Sequence, residues 1–229
     1  MHVPDGFLDA PTSVGTAVVA AAAVGLALRG ARRELDDRTA PLAGLVALFV
    51  FATQMLNFPI AAGTSGHLLG GALAAVLVGP FTATLAITVV LLVQALLMAD
   101  GGITALGTNI TLMGIVGVWV GWGVFKLVQA LLPKRTAMVV PAAAVGALVS
   151  VPVAAFMFSV LFAVGGTADV PFATVATAMV GVHAVIGIGE AVITALAVAS
   201  IVLTRPDLVY GAKPVLAKRE LTIRSAVTA

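Results

Sequence analysis

The chain of 229 residues contains no cysteine. That absence excludes disulfides, thiolate metal sites, iron–sulfur clusters and thiol nucleophiles together. Any transition-metal site must therefore use nitrogen, oxygen or methionine sulfur. Charge is scarce as well: 10% of residues are Asp, Glu, Lys or Arg and 61% are hydrophobic, with a mean hydropathy of +1.16. Soluble domains carry about 25% charged residues, so the composition is that of a membrane protein. The net charge of +2 then says less than which side the basic residues occupy. There is no G-x-x-x-x-G-K-[S/T] loop, so the chain cannot itself cradle and hydrolyse ATP as a P-loop enzyme does. The start, Met1-His2-Val3-Pro4-Asp5-Gly6, lacks the basic segment of a secretory leader and reads as an N-terminus mature as written.

What is present is a series of apolar runs. A helix needs about 20 apolar residues to cross a hydrocarbon core of ~30 Å. Seven runs are candidates, at roughly 12–29, 41–58, 67–79, 81–98, 108–131, 138–164 and 177–203. The third is short, lies between Gly66 and Gly79-Pro80, and reads equally as a half-embedded helix. With the N-terminus outside and seven crossings, Arg29, Arg32, Arg33 and Arg38 fall at the first inner loop, Lys126, Lys134 and Arg135 at the third, and Arg205, Lys213, Lys218, Arg219 and Arg224 in the tail. Those are all 12 basic residues, and the one-sided distribution supports both crossing number and orientation. The expected fold is an all-α polytopic membrane bundle of about seven transmembrane helices, N-terminus outside and C-terminus cytoplasmic. Residues 1–203 form its membrane domain and 204–229 a basic cytoplasmic tail.

The outer side collects Asp5, Asp9, Asp100 and Asp169 with His2, His67 and His183, a face that attracts cations; the same depletion of basic residues follows from the topology rule alone. Intramembrane polar groups are costly and default to functional candidates. Gln54, Asn57, Gln94, Asn109, His183 and Glu190 all fall in the outer half. His183 and Glu190 are seven apart, two helical turns, on one face of the last span. The inner halves are nearly all apolar, Ser150 excepted. That asymmetry describes a cup open outward. Gly114, Gly117 and Gly121, with Gly181, Gly187 and Gly189, offer small-residue faces for close helix approach.

Met1-His2 offers chemistry of its own. The Met1 α-amine, the Met1–His2 peptide nitrogen and His2 Nδ1 can converge on one cation, closing a five-membered chelate ring beside a six-membered one once the peptide nitrogen loses its proton. Three nitrogens then lie in one plane with a fourth place open, an arrangement suited to Ni(II), Cu(II) and low-spin Co(II). It requires that Met1 is retained, as a bulky second residue such as His2 normally ensures. His67, in the Pro- and Gly-punctuated stretch Phe58-Pro59-Ile60-Ala61-Ala62-Gly63-Thr64-Ser65-Gly66-His67, is the preferred source of the fourth nitrogen. For His183 packing or support of a ligand is the better reading, and for Glu190 a helix–helix hydrogen bond.

Met1-His2-Val3-Pro4-Asp5-Gly6-Phe7-Leu8, Gln54-Met55-Leu56-Asn57-Phe58-Pro59 and Gly63-Thr64-Ser65-Gly66-His67-Leu68 together resemble the CbiM/NikM family, the substrate-binding membrane components of cobalt and nickel energy-coupling-factor ABC transporters. Asp100-Gly101-Gly102-Ile103-Thr104-Ala105-Leu106-Gly107-Thr108-Asn109 and His183-Ala184-Val185-Ile186-Gly187-Ile188-Gly189-Glu190 fit the same pattern. The likeness runs from residue 1 to about 203 and leaves the tail unmatched. It implies that the N-terminal segment tucks into the bundle. The metal is then held in a square plane by the Met1 amine, the His2 main-chain nitrogen, the His2 imidazole and the His67 imidazole, with Asn57, Ser65, Asn109, His183 and Glu190 as supporting candidates.

The resemblance further implies Co²⁺ or Ni²⁺ as transported substrate, with no resident cofactor and no catalytic residues. Implied partners are a transmembrane coupling component, two ATP-binding subunits and a small accessory membrane protein, with the lipid bilayer and no nucleic acid. The implied location is the cytoplasmic membrane. Two rival classes are an intramembrane metal-dependent enzyme using His183 and Glu190, which lacks H-E-x-x-H or any compact triad, and a passive cation channel, disfavoured by the apolar inner half.

Overall fold

The computed structural model describes residues 1–36, 39–56, 58–59 and 65–217. These residues form an all-α membrane bundle. Its helices are α1 (Ala10–Ala31), α2 (Thr39–Gln54), α3 (Gly71–Val78), α4 (Pro80–Leu97), α5 (Leu106–Leu131), α6 (Val139–Gly165) and α7 (Phe172–Thr204). The only strand pairing among the described residues is a two-residue ladder of Phe58–Pro59 against Ser65–Gly66, antiparallel.

Five helices have the length and apolarity to cross a bilayer, and α2 is a shorter apolar helix. The third run is not a full span, in line with its alternative reading as a half-embedded helix. Only its second half is helical: α3 has 8 residues and spans about 12 Å at 1.5 Å per residue. Gly70, with φ +74°, precedes it and Gly79, with φ +95°, ends it; both are backbone conformations that glycine alone adopts without strain. Every residue of α3 is buried. Irregular backbone at membrane depth is tolerated where protein surrounds it and satisfies its polar groups, and that requirement decides where several buried polar side chains go.

Capping fixes the helix ends. The Asp9 carboxylate accepts a 2.9 Å bond from Thr12 N at the start of α1, with Pro11 inside the first turn. Glu34, 4% exposed, reaches from beyond α1 to the start of α4 and accepts bonds from Phe81 N (3.2 Å) and Thr82 N (2.7 Å). A carboxylate there meets both the orphan amides and the positive end of the helix. In α6, Pro152 cannot bond the Leu148 carbonyl. Gly187 of α7 sits so close that a Cβ there would lie 3.0 Å from that oxygen, which is why α6 and α7 pack tightly. Gly121 likewise admits Ala72 of α3, whereas Gly181 and Gly189 meet nothing nearby and face outward.

The N-terminal segment, the start of α5 and the end of α6 meet at one end of the bundle, joined by Thr16–Thr108 and Asp9–Gly165 hydrogen bonds. The helix ends bearing Arg29, Lys134 and Arg205 lie at the other end. Beyond α7, Val209 and Ala212 are buried, and Gln129 donates to the Gly211 carbonyl at 2.8 Å, so this stretch packs under α5. The outward faces are apolar, with Val14, Val18, Leu45, Leu48, Leu96, Val185 and Leu196 all exposed, as lipid contact requires.

Candidate metal centre

The first three residues are threaded into the bundle rather than loose. Met1 is 1% exposed, His2 5% and Val3 0%. An extended segment carries unpaired amides and carbonyls, and several of them find partners in the bundle. Val3 N donates to Asn109 Oδ1 at 2.8 Å, while Asn109 Nδ2 and Gly102 N donate to Val3 O at 3.2 and 2.9 Å. Asp5 accepts from Thr104 N and Thr104 Oγ1 at 2.7 and 2.5 Å, bonds that hold this exposed carboxyl below its usual range. Thr167 donates to Phe7 O and Gly6 O, and Asp9 N donates to Gly165 O. Gly102 lies against the Pro4–Asp5 backbone, where a side chain would collide.

Threading brings His2 onto His67. The two rings stack with centroids 4.4 Å apart and planes 25° apart. His67 is fully buried. Its Nδ1 lies 2.8 Å from the Leu68 carbonyl, which can only accept; Nδ1 therefore carries the hydrogen and Nε2 presents a lone pair. That Nε2 has no hydrogen-bond partner. His2 Nε2 lies 3.1 Å from Gln94 Oε1. His2 Nδ1 is 2.9 Å from Asp100 Oδ1 but lacks the alignment of a hydrogen bond. The Met1 end and the His67 ring are both buried, at 1% and 0% exposure. Among the described residues no three His, Cys, Asp or Glu side chains are grouped to hold a metal ion.

The other sequence candidates divide. His183 is buried on the inner face of α7; its Nδ1 bonds the Met179 carbonyl at 2.8 Å and its Nε2 has no partner. Glu190 does not make the expected helix–helix bond. It accepts from Leu69 N at 2.6 Å and Gly70 N at 3.0 Å, satisfying the amides exposed ahead of α3. Asn57 and the Ser65 side chain lie outside the described residues. Gln54 and Gln94, singled out from sequence only as intramembrane polar groups, are fully buried and stand directly behind His2. Their position near outer helix ends was the only signal for them, and it gave no partner.

Asn109→Leu removes both side-chain bonds to Val3 and leaves the Val3 amide buried and unpaired, at about 1–3 kcal/mol. The expected result is a folded protein with metal affinity lowered by roughly tenfold or more, read by calorimetric titration at that energy scale. Unchanged affinity would mean the remaining bonds suffice to seat the segment.

The chain matches the family model described as the CbiM cobalt uptake substrate-specific transmembrane region over residues 2–208. It belongs to the CbiM family. Among its CbiM-family relatives, a Haloquadratum walsbyi protein named for metal transport is 42% identical over 210 residues, covering 92% of this chain and 94% of that one. A fused nickel transport protein NikMN of Rhodobacter capsulatus is 42% identical over 127 residues, covering 56% of this chain and 37% of that longer one. A crystal structure of a truncated transition metal transporter superposes with a TM-score of 0.80 at 31% identity, covering 88% of this chain and 98% of that one. This CbiM-family chain is thus a component of cobalt or nickel uptake, embedded in a membrane through several spanning helices.

Proposed function

We propose that the chain captures Co(II) or Ni(II) at the outer face of the cytoplasmic membrane, as the substrate-binding component of an energy-coupling-factor transporter. The ion is held in a square plane by the Met1 amine, the Met1–His2 peptide nitrogen, His2 Nδ1 and His67 Nε2. The observation that supports this most is the pairing of two buried, stacked imidazoles with a buried N-terminal amine, His67 Nε2 being without a hydrogen-bond partner. A buried lone pair with nothing to accept is costly unless a ligand fills the gap. The N-terminus faces outward and the basic helix ends face the cytoplasm, by the bias of Lys and Arg. Residues 1–203 form the membrane domain, and the segment from 204 lies at the cytoplasmic surface. With no P-loop in the chain, energy comes from two ATP-binding subunits acting through a transmembrane coupling protein, with a small accessory membrane protein alongside.

The test has two parts. Purified protein alone should bind Ni(II) or Co(II) with the absorption spectrum of a planar four-nitrogen complex. Cells should accumulate the metal only when the ATP-binding partners are also present. Uptake by this chain alone would favour the channel reading. Binding should also strengthen as pH rises, because the peptide nitrogen must release its proton to the solvent when it binds the ion. A pH-independent affinity between pH 6 and 8 would exclude the peptide nitrogen as a ligand.

A further inference from the structure

A chain of hydrogen bonds runs behind His2 and ends on the backbone that carries His67. Gln54 Nε2 bonds the Leu69 carbonyl at 2.7 Å, Gln94 Nε2 bonds Gln54 Oε1 at 3.0 Å, and His2 Nε2 lies 3.1 Å from Gln94 Oε1. Both glutamines are fully buried and His2 is 5% exposed, so water does not offer these groups an alternative. The direction of the chain is forced from its far end. A main-chain carbonyl only accepts, so the Gln54 amide must turn its NH₂ to Leu69 and its oxygen to Gln94. Gln94 must then present its NH₂ to Gln54 and its oxygen to His2. An amide oxygen cannot donate, so Nε2 carries a hydrogen; the Asp100 carboxylate, 2.9 Å from Nδ1 but out of line for a hydrogen bond, does not draw it away, and in the neutral ring Nδ1 is left with the lone pair. Only Nδ1 can close the six-membered ring with the His2 main-chain nitrogen.

We infer that Gln94 and Gln54 are positioning residues that select the chelating tautomer of His2, and that they do so from the same stretch of backbone that presents His67. Leu69 follows His67 by two residues. Its carbonyl anchors the chain and its amide, with that of Gly70, is held by Glu190 at 2.6 and 3.0 Å. Any displacement of this stretch withdraws His67 and unhooks the relay that orients His2, so the two imidazoles are released together rather than one at a time. This inference rests on the proposed ligand set for its consequence, but the tautomer itself is a property of the metal-free protein.

The experiment separates the two. In metal-free protein with ¹⁵N-labelled histidine, the His2 ring nitrogens report which one is protonated. The full-length protein should show the Nε2–H form. Gln94→Met, a near-isostere without an acceptor at the right place, should give a mixture of tautomers. Gln54→Met, which changes a residue that does not touch His2, should give a mixture too, because an unanchored Gln94 amide can flip. Gln94→Glu, whose carboxylate still accepts from Nε2–H, should restore the single tautomer. Ni(II) affinity should fall by roughly 10–100-fold in Gln94→Met, the range for groups that orient a metal-bound histidine. The double Met variant should lose no more than Gln94→Met alone, since Gln54 acts only through Gln94. A single Nε2–H tautomer in both Met variants, or losses that multiply in the double variant, would overturn the relay and leave the glutamines as packing. Should Gln94→Met fail to fold, a Gln94→Glu protein with mixed tautomers would overturn it as well. Absence of Ni(II) binding by the unsubstituted protein would instead remove the proposed ligand set, while the ring signals still decide the tautomer question.

Discussion

Acetylating the Met1 amine should abolish Ni(II) and Co(II) binding while the bundle stays folded. An acetylated nitrogen is an amide, with no basic lone pair. Without an anchoring amine, the adjacent peptide nitrogen has no chelate to favour loss of its proton, so one modification removes two of the four donors and leaves His2 as a single-point ligand. The loss should exceed the roughly 10–100-fold seen when an outer partner of a metal ligand is removed. The segment itself remains seated, because its anchors lie further along, at Val3, Asp5, Phe7 and Asp9. The check is a thermal melt with and without Ni(II). Unmodified protein should gain stability with metal, as any ligand specific for the folded state confers, and acetylated protein should gain none. Extending the chain by one residue is a weaker test than it looks. An X-Met-His start offers an amine, two peptide nitrogens and an imidazole of its own, four planar donors without His67. A two-residue extension avoids that replacement and should behave like acetylation. Acetylated protein that keeps both its affinity and its planar spectrum would rule out the N-terminal chelate.

Much of the centre was legible because its chemistry is written in residue types that membranes exclude. His2, His67, His183 and Glu190 stand out in a chain that is 61% hydrophobic, and all four are buried together near the N-terminal segment. The helices were legible for the same reason: long apolar runs at 108–131 and 138–164 became α5 and α6 with ends shifted by a few residues. What could not be read was how partners are assigned. The run 67–79 is as apolar as its neighbours, and nothing in its composition reveals that its first residues are not helical. That outcome depends on Glu190, 120 residues away from Gly70, accepting its amide. Glu34 is a similar case. It follows Arg32 and Arg33 in a stretch rich in charge, yet it is buried on the amides that begin α4. Gln54 and Gln94 were visible as costly polar groups, but their order in a chain ending at Leu69 exists only in three dimensions.

His67→Ala should lower Ni(II) affinity more severely than His183→Ala, and the order decides which imidazole completes the plane. Both rings are buried, both bond a backbone carbonyl through Nδ1, and both present an Nε2 without a partner. They differ in what holds them and what they face. His67 sits on a short irregular stretch, stacked on His2 at 4.4 Å, and in the proposed arrangement its Nε2 turns to the ion held by Met1 and His2. His183 is fixed in the middle turns of α7, bonded to the carbonyl four residues before it; that geometry suits a ring that packs beside the ion and favours one stacked arrangement of the other two. Removing His67 deletes a donor and opens a fourth place to water, so the loss should pass roughly 100-fold, beyond what an outer group commonly costs, while His183→Ala should stay within roughly 10–100-fold. Stability separates the causes. Each variant leaves a cavity among buried neighbours and should melt somewhat lower without metal, but only His67→Ala should lose the planar Ni(II) spectrum. If His183→Ala loses that spectrum and His67→Ala retains it, the fourth nitrogen comes from α7, and the backbone between Ser65 and Gly70 is support for the N-terminal segment rather than part of the metal's coordination.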